Sequence, residues 1–314
     1  MRFLIVGAGA LGGYFGGRLL DAGQDVTFLL RPRRAAQLEK TGLIVKSRFG
    51  DLALPAPPYV LAETIDAPFD VVIVGCKAYD LAQTMESFAS AVGPDTVILP
   101  LLNGLRHLDQ LAQRFGPKHV LGAQCMISAV LNPDGIITHL NDMHGLSFGE
   151  LDGSHSKRIE ALTAAFAKAH FDANASTVIL QEMWEKWVFI ASAASITCLM
   201  RATVGDIVSA GAADVALAIL DECSAIASQN GFTLRAASTE RARLTLTTAG
   251  SPLTASMFKD MERGAAIEAD HIVGDLLGRG AENNQSLSYL RIAYAHLKVY
   301  EAKRAREAAT AASL

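Results

Sequence analysis

A glycine-rich segment between two apolar runs constrains the fold of this chain more than any other feature. Arg2–Val6 is an apolar run, and Gly7, Gly9 and Gly12 follow it as G-x-G-x-x-G; a helical stretch then leads to a second apolar run that ends at Arg31. In the order strand, turn, helix, strand, the free N–H groups of the helix N-terminus bind a pyrophosphate. Such glycines can also serve close packing alone, but their place between two strands favours binding. The segment therefore predicts a dinucleotide-binding fold.

The end of the second apolar run bears on which dinucleotide is bound. A site that prefers NAD has Asp or Glu about 20 residues after the glycines, where the carboxylate binds the ribose 2'-hydroxyl. This chain reads Phe-Leu-Leu-Arg-Pro-Arg-Arg over residues 28–34, with no carboxylate. The guanidinium of Arg31 can instead pair with a 2'-phosphate, and Arg33 or Arg34 can add positive field. The segment predicts NADP(H), and the alternative is a solvated basic loop.

Composition excludes several other classes of protein. The chain has 314 residues, of which 50% are hydrophobic, enough for two domains with substantial cores. Its formal net charge of -4 argues against a nucleic acid partner. It has no apolar run of about 20 residues and no basic segment ahead of the first strand, so we expect a cytoplasmic protein without a membrane span.

Metal chemistry has no support in the sequence. The four cysteines lie among apolar neighbours without C-x-x-C spacing and are expected to be buried, reduced thiols. The eight histidines form no metal-ligand pattern, and His139 and His144 are interpreted as ordinary strand or loop residues.

Strand and helix patterns alternate in the first part of the chain and give way to helices. Runs at 69–75 and 96–102 predict buried parallel strands around a helix at 81–92. Further strands are expected at 119–127, 135–140 and 146–149, a helix at 156–170, and a last extended run at 176–179. The remainder is helical in pattern. The sequence predicts an α/β protein: a Rossmann-type parallel-sheet domain that binds NADP over 1–179, and an all-α substrate and catalytic domain over 180–314.

Ligands of open α/β sheets bind beyond the carboxyl ends of the strands, so residues just after each run are candidates. Lys77 follows one run and is positioned to contact ribose or phosphate. Asn103 follows the next and can reach the nicotinamide ribose or the substrate. The alternative is that Asn103 and Gly104 merely form a turn.

The predicted helical half carries a lysine in apolar surroundings. Lys186 shares a helical face with Met183, Trp187 and Ile190. An ammonium in that setting extends its head to water, pairs with a carboxylate or has a lowered pKa. Helix pattern alone favours a structural role. The alternative is a general acid that protonates a carbonyl oxygen as hydride reaches the carbon.

A second candidate segment spans residues 251–270. Ser251-Pro252 has the pattern of a helix start, Gly264 that of a helix end, and Ile267 begins another helix. On one unbroken helix Ser256 and Glu268 would lie roughly 18 Å apart, so only a break near Gly264 lets them converge. Pattern alone favours a first-turn hydroxyl and a solvated carboxylate.

Taken together, these motifs resemble the ketopantoate reductase family (2-dehydropantoate 2-reductases) over nearly the whole chain. The ordered set is far more specific than any one of its members. It comprises G-A-G-A-L-G over Gly7, Ala8, Gly9, Ala10, Leu11 and Gly12, then Arg31, C-K-A at 76–78, L-N-G at 102–104, F-G-E-L-D at 148–152, W-E-K at 184–186, S-M-F-K-D at 256–260 and I-E-A-D at 267–270.

The resemblance implies an NADPH-binding Rossmann domain and a helical domain of the 6-phosphogluconate dehydrogenase type. It implies that Lys186 is the proton donor and that Glu268 supports the site and the cofactor. It further implies that Ser256 contacts the substrate carboxylate and that Asn103 lies at the nicotinamide. For Lys186 the resemblance therefore favours the general acid over the structural role that helix pattern alone favours.

The chain departs from the family at three positions. Members that form pantoate carry asparagines one and two turns after the lysine, where this chain has Ile190 and Ala194, and another ahead of the serine, where it has Leu253. A pocket that lacks amide donors loses specificity for a substrate hydroxyl or carboxylate. Bulkier or more apolar 2-oxo acids, or related ketones, therefore become candidate substrates.

The resulting hypothesis is an NADPH-dependent reductase that converts a 2-oxo acid to a 2-hydroxy acid. One alternative is an NADP(H)-binding sensor without turnover, and another is a β-hydroxyacid dehydrogenase that runs in the oxidative direction. The sequence does not identify the substrate, the hydride face, the physiological direction of the reaction, or a place in pantothenate biosynthesis. It leaves the oligomeric state open, and a homodimer is compatible with it.

Overall fold

The structure, a computed structural model, describes residues 1–281 and 288–312. Its internal contacts divide the chain into unit 1, Met1–Leu180, and unit 2, Gln181–Leu314. The assignment of cofactor binding to the first part and of catalysis to the second stays a prediction.

A parallel five-stranded sheet forms the centre of unit 1. Its order is β5-β2-β1-β6-β7, and every pairing in it is parallel. Residues 71–74 of β6 are completely buried, as expected for strands covered on both faces. The predicted Rossmann-type sheet is confirmed. Its strands are β1 (Arg2–Val6), β2 (Asp25–Leu29), β5 (Tyr59–Val60), β6 (Phe69–Val74) and β7 (Val92–Pro100).

Five helices of unit 1 follow or connect its strands. The first packs closely on the sheet, since a Cβ at Gly16 would lie 2.8 Å from side-chain atoms of Ile5 and Phe28. A larger residue there would push the helix outward. The helices are α1 (Ala10–Asp21), α2 (Pro32–Thr41), α3 (Leu81–Phe88), α4 (Arg106–Phe115) and α5 (Lys157–Phe166).

Two smaller sheets complete unit 1, in the orders β4-β3-β10-β9 and β12-β11-β8. The strands predicted at 119–127, 135–140 and 146–149 are confirmed, but the extended run expected at 176–179 is wrong. The strand lies at 172–175 instead, where Asp-Ala-Asn-Ala has poor strand propensity but pairs in parallel with β11. The strands are β3 (Leu43–Lys46), β4 (Leu52–Leu54), β8 (Gly122–Met126), β9 (Ala129–Leu131), β10 (Ile136–His139), β11 (Gly145–Gly149) and β12 (Asp172–Ala175).

Every element of secondary structure among the described residues of unit 2 is a helix, as the sequence predicts. Its first helix begins two residues ahead of the unit boundary, and a π-helical turn at Asp270–Gly274 interrupts the α-helical pattern. No helix in residues 1–281 or 288–312 has the length and apolarity needed to cross a bilayer. The helices are α6 (Ile179–Met200), α7 (Val204–Ser209), α8 (Ala213–Gln229), α9 (Ala236–Thr247), α10 (Ser256–Glu262), α11 (Asp275–Ala281) and α12 (Ser288–Ala312).

The helix expected from Ser251-Pro252 begins later, at Ser256. The segment ahead of it is not helical, and its carbonyls accept hydrogen bonds from α7: Val204 N–H donates to Leu253 at 3.0 Å and Gly205 N–H to Ser251 at 2.9 Å. These bonds satisfy N–H groups at a helix start that have no intrahelical partner. The predicted break is confirmed, since α10 ends at Glu262 and Gly264 has a φ of +65°.

The cysteine prediction holds for three of the four residues. Cys125, Cys198 and Cys223 are buried, and burial raises the pKa of Cys198 and of Cys223 to about 12. Cys76 is only half-buried, because it lies past the end of β6 at the edge of the sheet. Three or more His, Cys, Asp or Glu side chains arranged to hold a metal ion are not found in the described part of the chain.

Candidate active site

The glycine turn between β1 and α1 has a geometry suited to a diphosphate. Gly7 has a φ of +88°, and its N–H donates to the carbonyl of Leu29 at 2.9 Å. A Cβ at Gly12 would lie 2.1 Å from the carbonyl oxygen of Gly7, so only glycine permits this approach. A Cβ at Gly9 would have no other atom within 4 Å. The turn is therefore closed by Gly12 and open beside Gly9, which fits a cofactor pyrophosphate.

Two neighbours that the motif does not contain support the turn. Gly75 donates its N–H to the carbonyl of Val6 at 3.4 Å, and a Cβ at this position would lie 3.2 Å from the nitrogen of Gly12. Arg34 donates from Nε to the carbonyl of Ala8 at 3.0 Å. The position of Gly75 directly after a strand is a sequence feature that could have identified it.

The guanidinium of Arg34 is held beside the glycine turn by several hydrogen bonds. Besides Ala8, its guanidinium donates to Gln37 Oε1 at 2.6 Å and to the carbonyl of Gly135 at 3.3 Å. Burial lowers the pKa of Arg34. These hydrogen bonds fix the Arg34 side chain beside the glycine turn. Of the motif residues, Ala8 is buried, and Ala10 and Leu11 are half-buried in the first turn of α1.

Arg31 lies where the sequence places it, two residues beyond β2, as the N-cap of α2. Its side chain is 64% exposed, and Nη2 is 3.5 Å from Oδ2 of Asp80. An exposed pair of this kind stabilises the fold little. Exchanging Asp80 for a phosphate would therefore cost the guanidinium little free energy.

The other two predicted positions follow β6 and β7. Lys77 is half-buried, and its carbonyl accepts the N–H of Asp80 at 3.0 Å. Asn103 is half-buried, and the next residue, Gly104, has a φ of +77°. Since β1, β2, β6 and β7 are parallel neighbours, the glycine turn, Arg31, Lys77 and Asn103 follow strand ends at one edge of the sheet.

Lys186 differs from its neighbours on α6 in burial. The other residues of the segment 183–188 are all buried, whereas Lys186 is half-buried. The predicted apolar setting is confirmed, and the lysine side chain retains partial access to the surface of its unit. The buried neighbours are Met183, Trp184, Glu185, Trp187 and Val188.

Glu185 anchors α6 to the start of α9. Its carboxylate, 6% exposed, accepts hydrogen bonds from Arg235, Ser238 (2.7 Å) and Gln181 (3.1 Å). Burial alone would raise the pKa of Glu185, but these hydrogen bonds outweigh burial and lower the pKa to about 2. The residue before Lys186 is therefore held as a carboxylate.

Aromatic contacts hold the same stretch of α6 on another side. Trp184 stacks on Phe232 with ring centroids 5.4 Å apart, and it contacts Trp187 at 5.0 Å. The guanidinium of Arg279 lies 5.9 Å from the Trp184 ring and 5.6 Å from the Trp187 ring. Arg279 in turn pairs with Asp275 at 3.1 Å. Contacts with α11 and with Phe232, in the loop ahead of α9, thus hold the stretch of α6 that carries Lys186.

Ser256 and Glu268 lie on either side of the break at Gly264. Ser256 is the exposed first residue of α10, and the preceding N–H, of Ala255, donates to Thr197 Oγ1 at 3.3 Å. Thr197 lies about three turns along α6 from Lys186, on the same face. Glu268 is half-buried just before the π-helical turn.

The apolar positions noted in the sequence lie in the same two segments. Ile190 and Ala194 follow Lys186 by one and two turns, with Ile190 half-buried and Ala194 1% exposed. Leu253 is half-buried beside the start of α7. This part of unit 2 therefore presents alkyl groups where the resemblance implies amides.

Comparison with known proteins identifies the family. The family model for "Ketopantoate reductase PanE/ApbA" matches residues 3–153, and that for "Ketopantoate reductase PanE/ApbA C terminal" matches residues 178–301. A Rossmann-type sheet with its glycine turn, followed by a helical unit, is the architecture of a two-part oxidoreductase. This chain belongs to the ketopantoate reductase family.

Individual relatives agree with this assignment. The chain is 37% identical to the uncharacterized oxidoreductase YkpB of Bacillus subtilis, over 97% of this chain and 100% of that protein. It is 29% identical to a 2-dehydropantoate 2-reductase of Archaeoglobus fulgidus, over 90% and 91%. A crystal structure of 2-dehydropantoate 2-reductase from Geobacter metallireducens has a TM-score of 0.86 at 29% identity, over 95% of this chain and 99% of that one.

Proposed function

We propose that this protein reduces a 2-oxo acid to a 2-hydroxy acid with NADPH. The observation that carries the proposal is the setting of Lys186, a half-buried lysine in an otherwise buried stretch of α6, in a chain of the ketopantoate reductase family. Such a lysine keeps partial access to the surface on a backbone held by Glu185 and the tryptophans. A proton donor needs both reach and fixed geometry.

Unit 1 is proposed to hold the cofactor. Backbone N–H groups of the glycine turn would bind the pyrophosphate, Arg31 the 2'-phosphate, and Lys77 and Asn103 the ribose and nicotinamide end. The proposed preference for NADPH over NADH rests on two features of residues 28–34: the guanidinium of Arg31 and the absence of a carboxylate. When bound, the reduced nicotinamide supplies a hydride.

Unit 2 is proposed to supply the acid and to bind the substrate. Lys186 donates a proton from Nζ to the substrate's carbonyl oxygen as that oxygen gains negative charge. Glu268 holds the ammonium in place and contacts the cofactor, and Ser256 donates a hydrogen bond to the substrate carboxylate. Proton transfer of this kind contributes roughly 10² to 10⁴ in rate.

The substrate is proposed to be more apolar than ketopantoate. Ile190, Ala194 and Leu253 offer no hydrogen-bond donor to a substrate hydroxyl. Burying such a hydroxyl without a partner costs about 1–3 kcal/mol. An alkyl or aryl side chain on the 2-oxo acid avoids that cost.

A substrate panel followed by NADPH absorbance tests the proposal. Ketopantoate, 2-oxoisovalerate, 2-oxo-4-methylpentanoate and phenylpyruvate would each be offered with NADPH and with NADH. We expect turnover with NADPH, faster with the apolar acids than with ketopantoate. Tight NADPH binding without oxidation by any acid would instead favour a sensor, to which the three apolar positions also point. Faster turnover of 3-hydroxy acids with NADP would favour the β-hydroxyacid dehydrogenase.

A further inference from the structure

The residue after Lys186 is connected by two hydrogen bonds to the backbone of Glu268. Trp187 is 1% exposed, and its indole N–H donates to the carbonyl of Ile272 at 2.9 Å. The N–H of Ile272 donates to the carbonyl of Glu268 at 3.0 Å. A short path of directional contacts thus joins the two segments that carry the proposed acid and its carboxylate.

The carbonyl that accepts the indole N–H belongs to the π-helical turn Asp270–Gly274. Such turns are rare, and in many proteins they occur at functional sites. The wider turn offsets carbonyls from the usual α-helical ladder, so a side-chain donor can hold one of them. In this turn the donor comes from the helix that carries Lys186.

Both ends of the turn are fixed on α12. The carboxylate of Asp270 accepts hydrogen bonds from Tyr294 at 2.6 Å and from Lys298 at 2.9 Å. Gly274 lies against the Tyr294 ring, where a Cβ would be 2.9 Å from a ring carbon. Burial and the bond to Asp270 raise the pKa of Tyr294, which keeps its hydroxyl a donor. With both ends held, the contact with Trp187 sets the position of the middle of the turn.

We propose that Trp187 is a positioning residue: its indole N–H, through Ile272, sets where the carboxylate of Glu268 lies relative to the ammonium of Lys186. The proposal rests on the function proposed above. The N–H matters more than the bulk of the ring, because it donates the hydrogen bond that joins the turn to α6. A ring of the same shape without the donor fills the same space and leaves the buried carbonyl of Ile272 without its partner.

The test replaces the indole by β-(3-benzothienyl)alanine, in which sulfur takes the place of the N–H group, at residue 187 and, as a matched control, at residue 184. Trp184 is also buried, beside Trp187, and its ring stacks on Phe232. Trp187→Phe and Trp184→Phe provide a second pair made of natural amino acids. Hydrogen exchange over residues 266–276, thermal unfolding, and kcat and KM over a range of pH are measured for each.

The change in exchange over residues 266–276 and the change in the pH profile are expected only in the variants at 187, because Trp187 donates to Ile272. Exchange over 266–276 becomes faster, kcat falls about tenfold and KM for NADPH stays within about twofold, because a displaced carboxylate impairs proton donation more than cofactor binding. The pH at which kcat falls to half of its maximum also shifts. Control variants with equal losses of thermal stability keep the original exchange and pH profile.

Two results would overturn the proposal in an active enzyme: unchanged exchange over 266–276 in both variants at 187, or equal losses of kcat at 184 and 187. If the unmodified protein reduces no 2-oxo acid, the proposed function fails first, and the catalytic meaning of the contact fails with it. The two failures are therefore distinguishable.

Discussion

Glu185 and Arg235 form a three-point contact. The carboxylate accepts the backbone N–H of Arg235 at 2.9 Å, Nε at 2.8 Å and Nη2 at 2.6 Å. Because Arg235 is the N-cap of α9, the contact joins the start of that helix to the buried segment 183–188 of α6. Glu185, the residue next to Lys186, therefore cannot rotate without breaking several charge-assisted hydrogen bonds. The backbone that carries Lys186 is held in place by this contact.

Replacement of Glu185 should reduce stability. Glu185→Gln loses the charge that these donors surround and should lower the free energy of unfolding by about 2 kcal/mol at pH 7. Denaturant unfolding measures this, with the exposed Glu240→Gln on α9 as the control. A loss no greater than that of the control would show that the contact adds nothing to stability.

The same pair predicts a pH dependence. Folding lowers the pKa of Glu185 from 4.5 to about 2, so its stabilisation is fully present above about pH 4.5 and is lost as the pH falls toward 2. The difference in unfolding free energy between the unmodified protein and Glu185→Gln should shrink across that window. A difference that stays constant from pH 6 to the lowest pH at which the protein folds would contradict the assignment.

Removal of the proposed acid should reduce turnover without unfolding the protein. Lys186→Met keeps the alkyl stem and removes the ammonium, so kcat should fall by roughly 10² to 10⁴. Lys303→Met serves as the control, because Lys303 is 62% exposed and pairs only with Glu307 at 3.7 Å among the described residues. Turnover equal to that of the control would exclude Lys186 from the chemistry.

Two glycines of the turn should respond differently to alanine. Gly12→Ala places a methyl 2.1 Å from the Gly7 oxygen and should cost at least about 2 kcal/mol of stability. Gly9→Ala meets no atom within 4 Å, so stability should change by less than about 0.5 kcal/mol. NADPH affinity should nevertheless fall at least about tenfold, since the methyl occupies the open side of the turn. Calorimetry distinguishes the two effects, and unchanged affinity in Gly9→Ala would place the pyrophosphate elsewhere.

Arg31 should determine the choice between the two nicotinamide cofactors. Arg31→Ala removes a charge-assisted pair worth about 1.5–3 kcal/mol, so KM for NADPH should rise roughly 10- to 100-fold. KM for NADH should change little, because NADH has no 2'-phosphate. The exposed Arg241→Ala controls for the loss of a positive charge. Equal changes in KM for both cofactors would refute the role.

A single amide should shift the choice of substrate. Ile190→Asn restores a donor one turn from Lys186 and should raise kcat/KM for ketopantoate relative to 2-oxo-4-methylpentanoate by about tenfold or more. Val299→Asn, at a 67% exposed site on α12, controls for the introduction of an amide in place of an apolar side chain elsewhere in unit 2. An unchanged ratio would show that residue 190 does not contact the part of the substrate that differs.

Strong local patterns made much of the fold predictable. The glycine turn, the apolar strands β1, β6 and β7 and the helical second half all follow from periodicity and turn chemistry, which act over short distances. The strand β12 did not follow, since Asp-Ala-Asn-Ala becomes a strand only by pairing with β11. The start of α10 was misplaced for a similar reason, because the carbonyls of Ser251 and Leu253 bond to α7 instead of starting a helix.

The candidate site was predictable as a set of positions and not as a set of contacts. Strand ends placed Arg31, Lys77 and Asn103, and the helical period placed apolar side chains beside Lys186. The burial of Glu185 was not expected, because charged residues are rarely buried. The hydrogen bond from Trp187 to Ile272 joins residues that are 85 positions apart in the sequence. It depends on a π-helical turn that no local sequence pattern predicts.

Gly75 makes the cofactor turn part of a larger unit. Because a Cβ at Gly75 would lie 3.2 Å from the Gly12 nitrogen, a side chain at the end of β6 would require the turn to shift by a few tenths of an ångström. A protein engineer who grafts the nucleotide loop of another dehydrogenase into this scaffold should therefore choose residue 75 together with the loop, since the two backbones touch.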